Sequence, residues 1–343
     1  MTWIIGIDEA GYGPNLGPFV MTSVACRVPA PLGLLPEGEG GGGANLWRLL
    51  HPAVRRSEET DTGQLLIDDS KRVYTTQGLA GLERGVFSIF GSPRRKSENR
   101  KRKTANWNKL AALIDRVCPD ASDELQCEVW YRGVQPLPVA LTDAAEWQME
   151  AARFEDACAA ADIGGWQVRS VVICPRRFNA LLEEGGTKGH VLAHALAYLL
   201  RWHSLAHVSS LHGEEDLTFY IDKHGGRNTY AAMIQHALPD GILAIEQESR
   251  ACSAYRVHGL GHSVRLTFQP RAEGEHFCVA LASMVSKYLR ELLMLEFNRF
   301  WQEQVPGLKP TAGYPGDAAR FLQAIRPTIR KLGLREETLW RRK

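Results

Sequence analysis

Apolar positions fall into short runs in the first part of the chain and into longer, helix-spaced series further on. Trp3 to Ile7 is a compact apolar run that reads as a buried strand. Gly11 to Pro18 is loop-like, and Phe19 to Val28 returns as a second strand rich in Val and Thr, so a sheet begins here. Leu79 to Phe90, Glu146 to Ala161 and Gly189 to Leu205 carry helical spacing. Gln167 to Ile173, Leu217 to Ile221, Ile242 to Glu248 and Ser263 to Phe268 are further strand candidates. Phe277 to Trp301 is the longest helix candidate, with Leu, Met, Phe and Val marking a core face. Mixed strands and helices of this kind predict an α/β or α+β chain with a mixed central sheet.

Composition adds exclusions. The 343 residues are 44% hydrophobic and 23% charged, enough apolar material for a core, and no sustained repeat period occurs. The seven cysteines are scattered without a C-x-x-C pair, which argues against a zinc ribbon and points to a reducing, cytoplasmic setting. Asp8 and Glu9 interrupt the apolar start too early for a signal peptide, and no run approaches a membrane span, so no membrane partner is expected. Gly33 to Asn45, with four consecutive glycines, reads as a surface loop.

The net charge of +2 excludes a binder that coats nucleic acid by bulk charge. Charge is nevertheless uneven. Seven of the ten residues from Arg94 to Lys103 are basic (Arg94, Arg95, Lys96, Arg100, Lys101, Arg102, Lys103), which leaves the rest of the chain mildly acidic. Such a run is either a solvated loop or an arm that grips phosphates.

Asp8 and Glu9 are the sharpest chemical feature. Two adjacent carboxylates after a strand repel each other and lose hydration when buried. Asp222 ends another apolar strand and precedes Gly225 and Gly226. A surface turn would explain each acid alone. Acids gathered from separate strand ends would also form a hard oxygen site for Mg²⁺ or Mn²⁺.

Several motifs, in order, resemble the ribonuclease HII family (type 2 ribonuclease H). IIGIDEAGYGPNLGPFV at 4–20 resembles its opening strand, Asp-Glu pair and glycine turn. DDSKR at 68–72 resembles its Asp-Ser-Lys motif, and YID at 220–222 its strand-borne Asp. ALASMVSKYLRELLM at 280–294 resembles its Ala-Ser helix, and GYP at 313–315 its C-terminal Gly-Tyr-Pro. The resemblance implies a ribonuclease H-like fold and a monomer. It implies two-metal hydrolysis of the RNA strand of RNA–DNA hybrids, leaving a 3′-hydroxyl and a 5′-phosphate, with two Mg²⁺ ions and Mn²⁺ as the alternative. Asp8, Glu9, Asp222 and an acid before the Ala-Ser helix would be the catalytic metal ligands. Counting back from Ser283 favours Glu273 over Glu275 for the fourth. Gly11, Tyr12, Gly13, Ser70, Lys71, Ser283, Lys287 and Tyr314 would contact nucleic acid, joined by the basic run if it is an arm.

The resemblance divides the chain into a core at 1–74 and 140–300, a basic insertion at 75–139 and a C-terminal helical extension at 301–343. Two departures stand out. The family turn is Gly-Arg-Gly, whereas here it is Gly11-Tyr12-Gly13, and Tyr12 either stacks on a sugar or base or simply packs against the turn. The insertion is the other. Competing classes are a nuclease for another structured nucleic acid, a binding protein that has lost catalysis, and a phosphotransferase of the sugar-kinase type. The last lacks a second phosphate loop.

Overall fold

A computed structural model describes residues 1–29, 45–91, 113–114, 117–118, 122–132, 144–208 and 215–342. The basic run at 94–103 and all but the last residue of the 33–45 loop lie outside the described residues. The strands are β1 (Thr2–Ala10), β2 (Phe19–Val28), β3 (Val54–Arg55), β4 (Leu65–Leu66), β5 (Gly164–Ile173), β6 (Asp216–Asp222), β7 (Ile242–Glu248), β8 (Ser253–His258) and β9 (Val264–Gln269). The helices are α1 (Leu46–Leu49), α2 (Ser70–Phe90), α3 (Ser122–Cys127), α4 (Ala144–Ala160), α5 (Pro175–Gly185), α6 (Lys188–Val208), α7 (Ala231–Ala237), α8 (Phe277–Gln304) and α9 (Pro315–Lys331).

Seven strands form one mixed sheet in the order β5-β2-β1-β6-β9-β8-β7, with β1, β6 and β9 parallel and the remaining pairs antiparallel. Helices cover both faces, as expected of the α/β class. Ile5 and Ile7 point to one side, where α5, α6 and α7 bury Phe178, Leu196 and Ile234. Ile4, Val20 and Val24 point to the other, against α2 and α8. This alternation follows the two-residue period of a strand buried on both faces.

α8 lies against the middle of β1 because residue 6 is glycine. A Cβ there would sit 2.2 Å from Cys278 C and from Val279 N. Backbone therefore meets backbone, and α8 is fixed over the strand end that carries the acids.

Two elements cross the boundaries drawn from sequence. α2 runs through 74/75, and its Leu82, Val86, Phe87 and Phe90 are core residues. The expected helix start at Leu79 coincides with a kink at Gly78 (φ 64°). α8 likewise continues past 300 to Gln304, with Trp301 fully buried. β1 is also longer than expected. Asp8 and Glu9 lie within it, paired with Thr22 and Met21 of β2. β8 was not expected at all, and it joins β7 to the sheet.

The end of the chain returns to the first turn. Leu16 bridges Trp340, Arg341 N–H donates to Asn15 O at 2.8 Å, and Asn15 Nδ2 donates to Arg341 O at 3.2 Å. Asn15 N–H also donates to Gly313 O at 2.8 Å, so three distant segments meet around residues 11–18.

Gly6→Val is expected to destabilise the protein by about 3 kcal/mol or more, because backbone rather than a movable side chain blocks the new atoms. Gly226→Ala, where no described atom lies within 4 Å of the added Cβ, should stay within about 0.5 kcal/mol of the parent. Urea denaturation of the two variants measures the difference.

Candidate active site

β1 and β6 are parallel and in register to Ile7↔Ile221, so Asp8 and Asp222 occupy the next rung together. Ile7 and Ile221 both belong to the α5–α7 side of the core. Alternation turns Asp8 and Asp222 to the opposite face, beneath α8. Asp222 Oδ1 accepts from Ala272 N–H at 3.1 Å. That bond draws the short 3₁₀ turn Ala272–Gly274 towards β6 and carries Glu273 with it.

One cavity of about 280 Å³ collects these residues. Its walls include Asp8, Glu9, Asp222 and Glu273, and also Gly11, Tyr12, Gly13, Ser70, Lys71, Ser283, Lys287 and Tyr314. Every individually predicted site residue within the described part of the chain is therefore in one place. Glu273 lines the cavity and, among the described residues, its buried Oε2 has no hydrogen-bond partner, while Glu275 is exposed and does not line it.

Ser283 Oγ on α8 donates to Ser70 Oγ at the start of α2 at 2.9 Å, which ties the two sequence motifs together. Ser286, one turn on, donates to Asp8 O at 3.1 Å. Asp69 caps α2 by accepting from Lys71 N–H at 2.9 Å, which sets Lys71 at the helix entrance. Tyr12 is half-buried. Its ring packs against the α5–α7 side of the core while lining the cavity, and Lys188 Nζ lies 5.9 Å from the ring centre.

The electrostatics of the acids are unfavourable on their own. Burial pushes the Asp8 carboxyl well above the usual range, and Glu9, Asp222 and Glu273 raise it further, against a lowering hydrogen bond with Ser283. Glu9 is raised to about 7 by burial and then by Asp222 and Glu273, with Lys71 opposing. Asp222 and Glu273 are also raised, chiefly by burial, and Lys71 again opposes both shifts. One lysine thus serves three half-buried carboxyls.

Four convergent carboxylates and an orphaned oxygen are a hard-oxygen donor set suited to divalent cations such as Mg²⁺ or Mn²⁺. Among the described residues, no group of three or more His, Cys, Asp or Glu side chains stands close enough, as placed, to hold a metal ion.

Arg290, Glu291 and Tyr74 were missed in the sequence. Arg290 and Glu291 line the cavity. Glu291 Oε1 accepts from Lys287 Nζ at 2.9 Å, and Lys287 sits 4.3 Å from the centre of the Tyr74 ring. Helical spacing from Ser283 and Lys287 would have placed residues 290 and 291 on the same face.

Fold and cavity together define an α/β protein with a buried carboxylate centre at the carboxyl ends of two parallel strands. No family model matches the chain, and no curated protein matches it. Solved structures to which it is similar include the PCNA–RNase HII complex of Archaeoglobus fulgidus, at 13% identity and a TM-score of 0.38, covering 98% of this chain and 92% of that one. Ribonuclease H2 of Pyrococcus horikoshii is similar at 13% identity and a TM-score of 0.41, over 98% and 92% of the two chains. Bst-RNase HIII in complex with Mn²⁺ is similar at 14% identity and a TM-score of 0.40, over 99% and 66%. Among the described residues, no helix is long and apolar enough to cross a membrane.

Two stability measurements follow from the raised carboxyls. Without divalent metal, the native state holds a proton on Glu9 that the unfolded chain releases near 4.5. Unfolding free energy should therefore fall as pH rises from about 4.5 to about 7, and Glu9→Gln should flatten that fall in urea titrations with EDTA. At pH 7.5, Mg²⁺ or Mn²⁺ should raise the melting temperature of the parent. Asp8→Asn should be more stable than the parent in EDTA, by about 1–3 kcal/mol, and should respond less to metal.

Proposed function

We propose that the protein is a metal-dependent endonuclease that hydrolyses the RNA strand of RNA–DNA hybrids and leaves a 3′-hydroxyl and a 5′-phosphate. The observation that carries this reading is the convergence of Asp8, Glu9, Asp222 and Glu273 in one cavity whose rim holds Lys71, Ser283 and Lys287. The order of motifs along the sequence supports the same reading.

Asp8, Glu9, Asp222 and Glu273 would hold two Mg²⁺ ions, with Mn²⁺ as the alternative. Bound there, the ions would supply an activated water and charge stabilisation at the leaving oxygen. Asp8 is the central ligand in this reading, because it is the acid that the other three all push upward. Lys71 offsets the negative field and reaches towards a phosphate. Lys287 would reach a phosphate from α8, held in place by Glu291 and the Tyr74 ring. The hydroxyls of Ser70 and Ser283 fix α2 to α8 and offer donors to the strand backbone. Gly11 takes a φ of 84° in the turn, and Gly13, where an added Cβ would meet no described atom within 4 Å, leaves backbone open to a sugar-phosphate chain.

A second reading keeps the chemistry and changes the substrate. Tyr12 lines the cavity, and Tyr314 and Tyr74 are 53% and 39% exposed beside it. Aromatic rings suit an unstacked nucleotide, so a junction or another structured nucleic acid is the competing substrate. The basic run at 94–103 is proposed as a phosphate-gripping arm.

A cleavage panel decides among these readings: RNA–DNA hybrid, a single ribonucleotide in duplex DNA, plain duplex DNA and branched DNA. The hybrid is expected to be cut in Mg²⁺ or Mn²⁺, and Asp8→Asn should lose about 1000-fold or more in rate. Binding of the hybrid without any cleavage by the parent protein would refute the enzyme reading. Removing residues 94–103 should flatten the dependence of log K on log salt by about 0.9 for each phosphate that the run neutralises. An unchanged slope returns the run to a solvated loop.

A further inference from the structure

Arg290 is 3% exposed yet lines the cavity. It reaches from α8 beneath the first glycine turn, so closely that a Cβ on Gly11 would lie 2.5 Å from its Nε. Nη2 donates to Ala312 O at 2.9 Å, and among the described residues the buried Nε has no partner. Its ion-pair neighbour, Glu291 Oε1, is 3.8 Å from Nη1 and is already held by Lys287 Nζ at 2.9 Å. The guanidinium carbon lies 5.7 Å from the centre of the Tyr314 ring.

A second buried arginine approaches the same turn. Arg341 is fully buried, lies 4.8 Å from the centre of the Phe178 ring and donates from Nη2 to Pro14 O, while its Nε and Nη1 have no hydrogen-bond partner among the described residues. Two guanidinium groups thus stand under one turn, and among the described residues neither has a carboxylate at hydrogen-bonding distance. A buried charge whose counter-charge is beyond hydrogen-bonding distance, or shared with a second cation, is costly in the free protein, and the planar fork of arginine matches phosphate oxygens.

We propose that Arg290, with the Gly11 backbone and Tyr314, forms a phosphate subsite in the cavity wall that takes a phosphodiester of the strand bound at the acid centre. The source of the phosphate rests on the nuclease reading. The anion chemistry does not. Arg341 acts through the turn as a positioning residue.

The test has two arms, both on the full chain. In the first, thermal unfolding is followed against inorganic phosphate at constant ionic strength. The parent should melt higher as phosphate rises, and Arg290→Gln should lose that rise. In the second, steady-state cleavage of an RNA–DNA hybrid is measured against salt. Arg290→Gln should raise KM about tenfold with kcat nearly unchanged, and should lower the salt slope by about one. A purely structural clamp would lower the melting temperature and leave phosphate response and salt slope unchanged, and that result overturns the subsite. If Arg290→Gln does not fold, Arg290→Lys replaces it: the lysine keeps the charge but not the fork, so the salt slope should persist while the phosphate response weakens. A lysine variant with the full response overturns the proposal. A parent that responds to phosphate through Arg290 but cuts no nucleic acid refutes the nuclease reading and supports the subsite.

Discussion

The close approach of α8 to β1 at Gly6 is the contact on which the rest of the molecule depends. β1 is central in the sheet, flanked by β2 and β6. α8 supplies much of one core, including the fully buried Ala282, Leu289 and Leu293. Because the two backbones touch, the helix cannot slide without breaking both layers. The same approach places Ser283 and Ser286 over Asp8. Packing and chemistry are therefore set by one small residue, and the acid centre inherits the rigidity of the core.

That rigidity is used against an electrostatic load. Four carboxylates point into one cavity, and burial raises each of them before their mutual repulsion is added. Lys71 opposes the shifts of three, and it stands at the entrance of a helix whose own start is fixed by Asp69 and by the Ser70–Ser283 bond. The load is carried by strand register on one side and by helix packing on the other. Without a counter-ion such neighbouring carboxyls disfavour one another's charge, and the fold around the cavity holds them there.

Much of this was legible in the sequence because the acids interrupt or end apolar runs. Asp8, Glu9 and Asp222 stand out against Trp3–Ile7 and Leu217–Ile221, and strand alternation accounts for the common face of Asp8 and Asp222. Glu273 was legible only through its spacing from Ser283, and its burial against the exposure of Glu275 follows from the Asp222–Ala272 bond, which no local pattern encodes. Helical spacing alone puts Arg290 on the face of Ser283 and Lys287, but its burial was not legible. Within an amphipathic helix an arginine reads as a solvent-facing residue, and its burial depends on a turn nearly three hundred residues earlier. β8 was hidden for a related reason: it is short and carries Arg256, so only its pairing with β7 and β9 makes it a strand. The boundary drawn at 74/75 from the resemblance falls inside α2, whose helical pieces meet at Gly78 in one packed element that no local pattern announces.

The junction of Asn15 with Arg341 has a consequence in time. The two residues lie 326 positions apart in sequence. Contacts so distant close late, because the intervening chain must first be ordered. During synthesis, β1 and β2 emerge long before residue 341. The acids can be gathered by β6 and α8 earlier, but the turn over the cavity gains its last support only when Trp340 and Arg341 arrive. A partly made chain would hold the four carboxyls together beneath a turn that is not yet fixed.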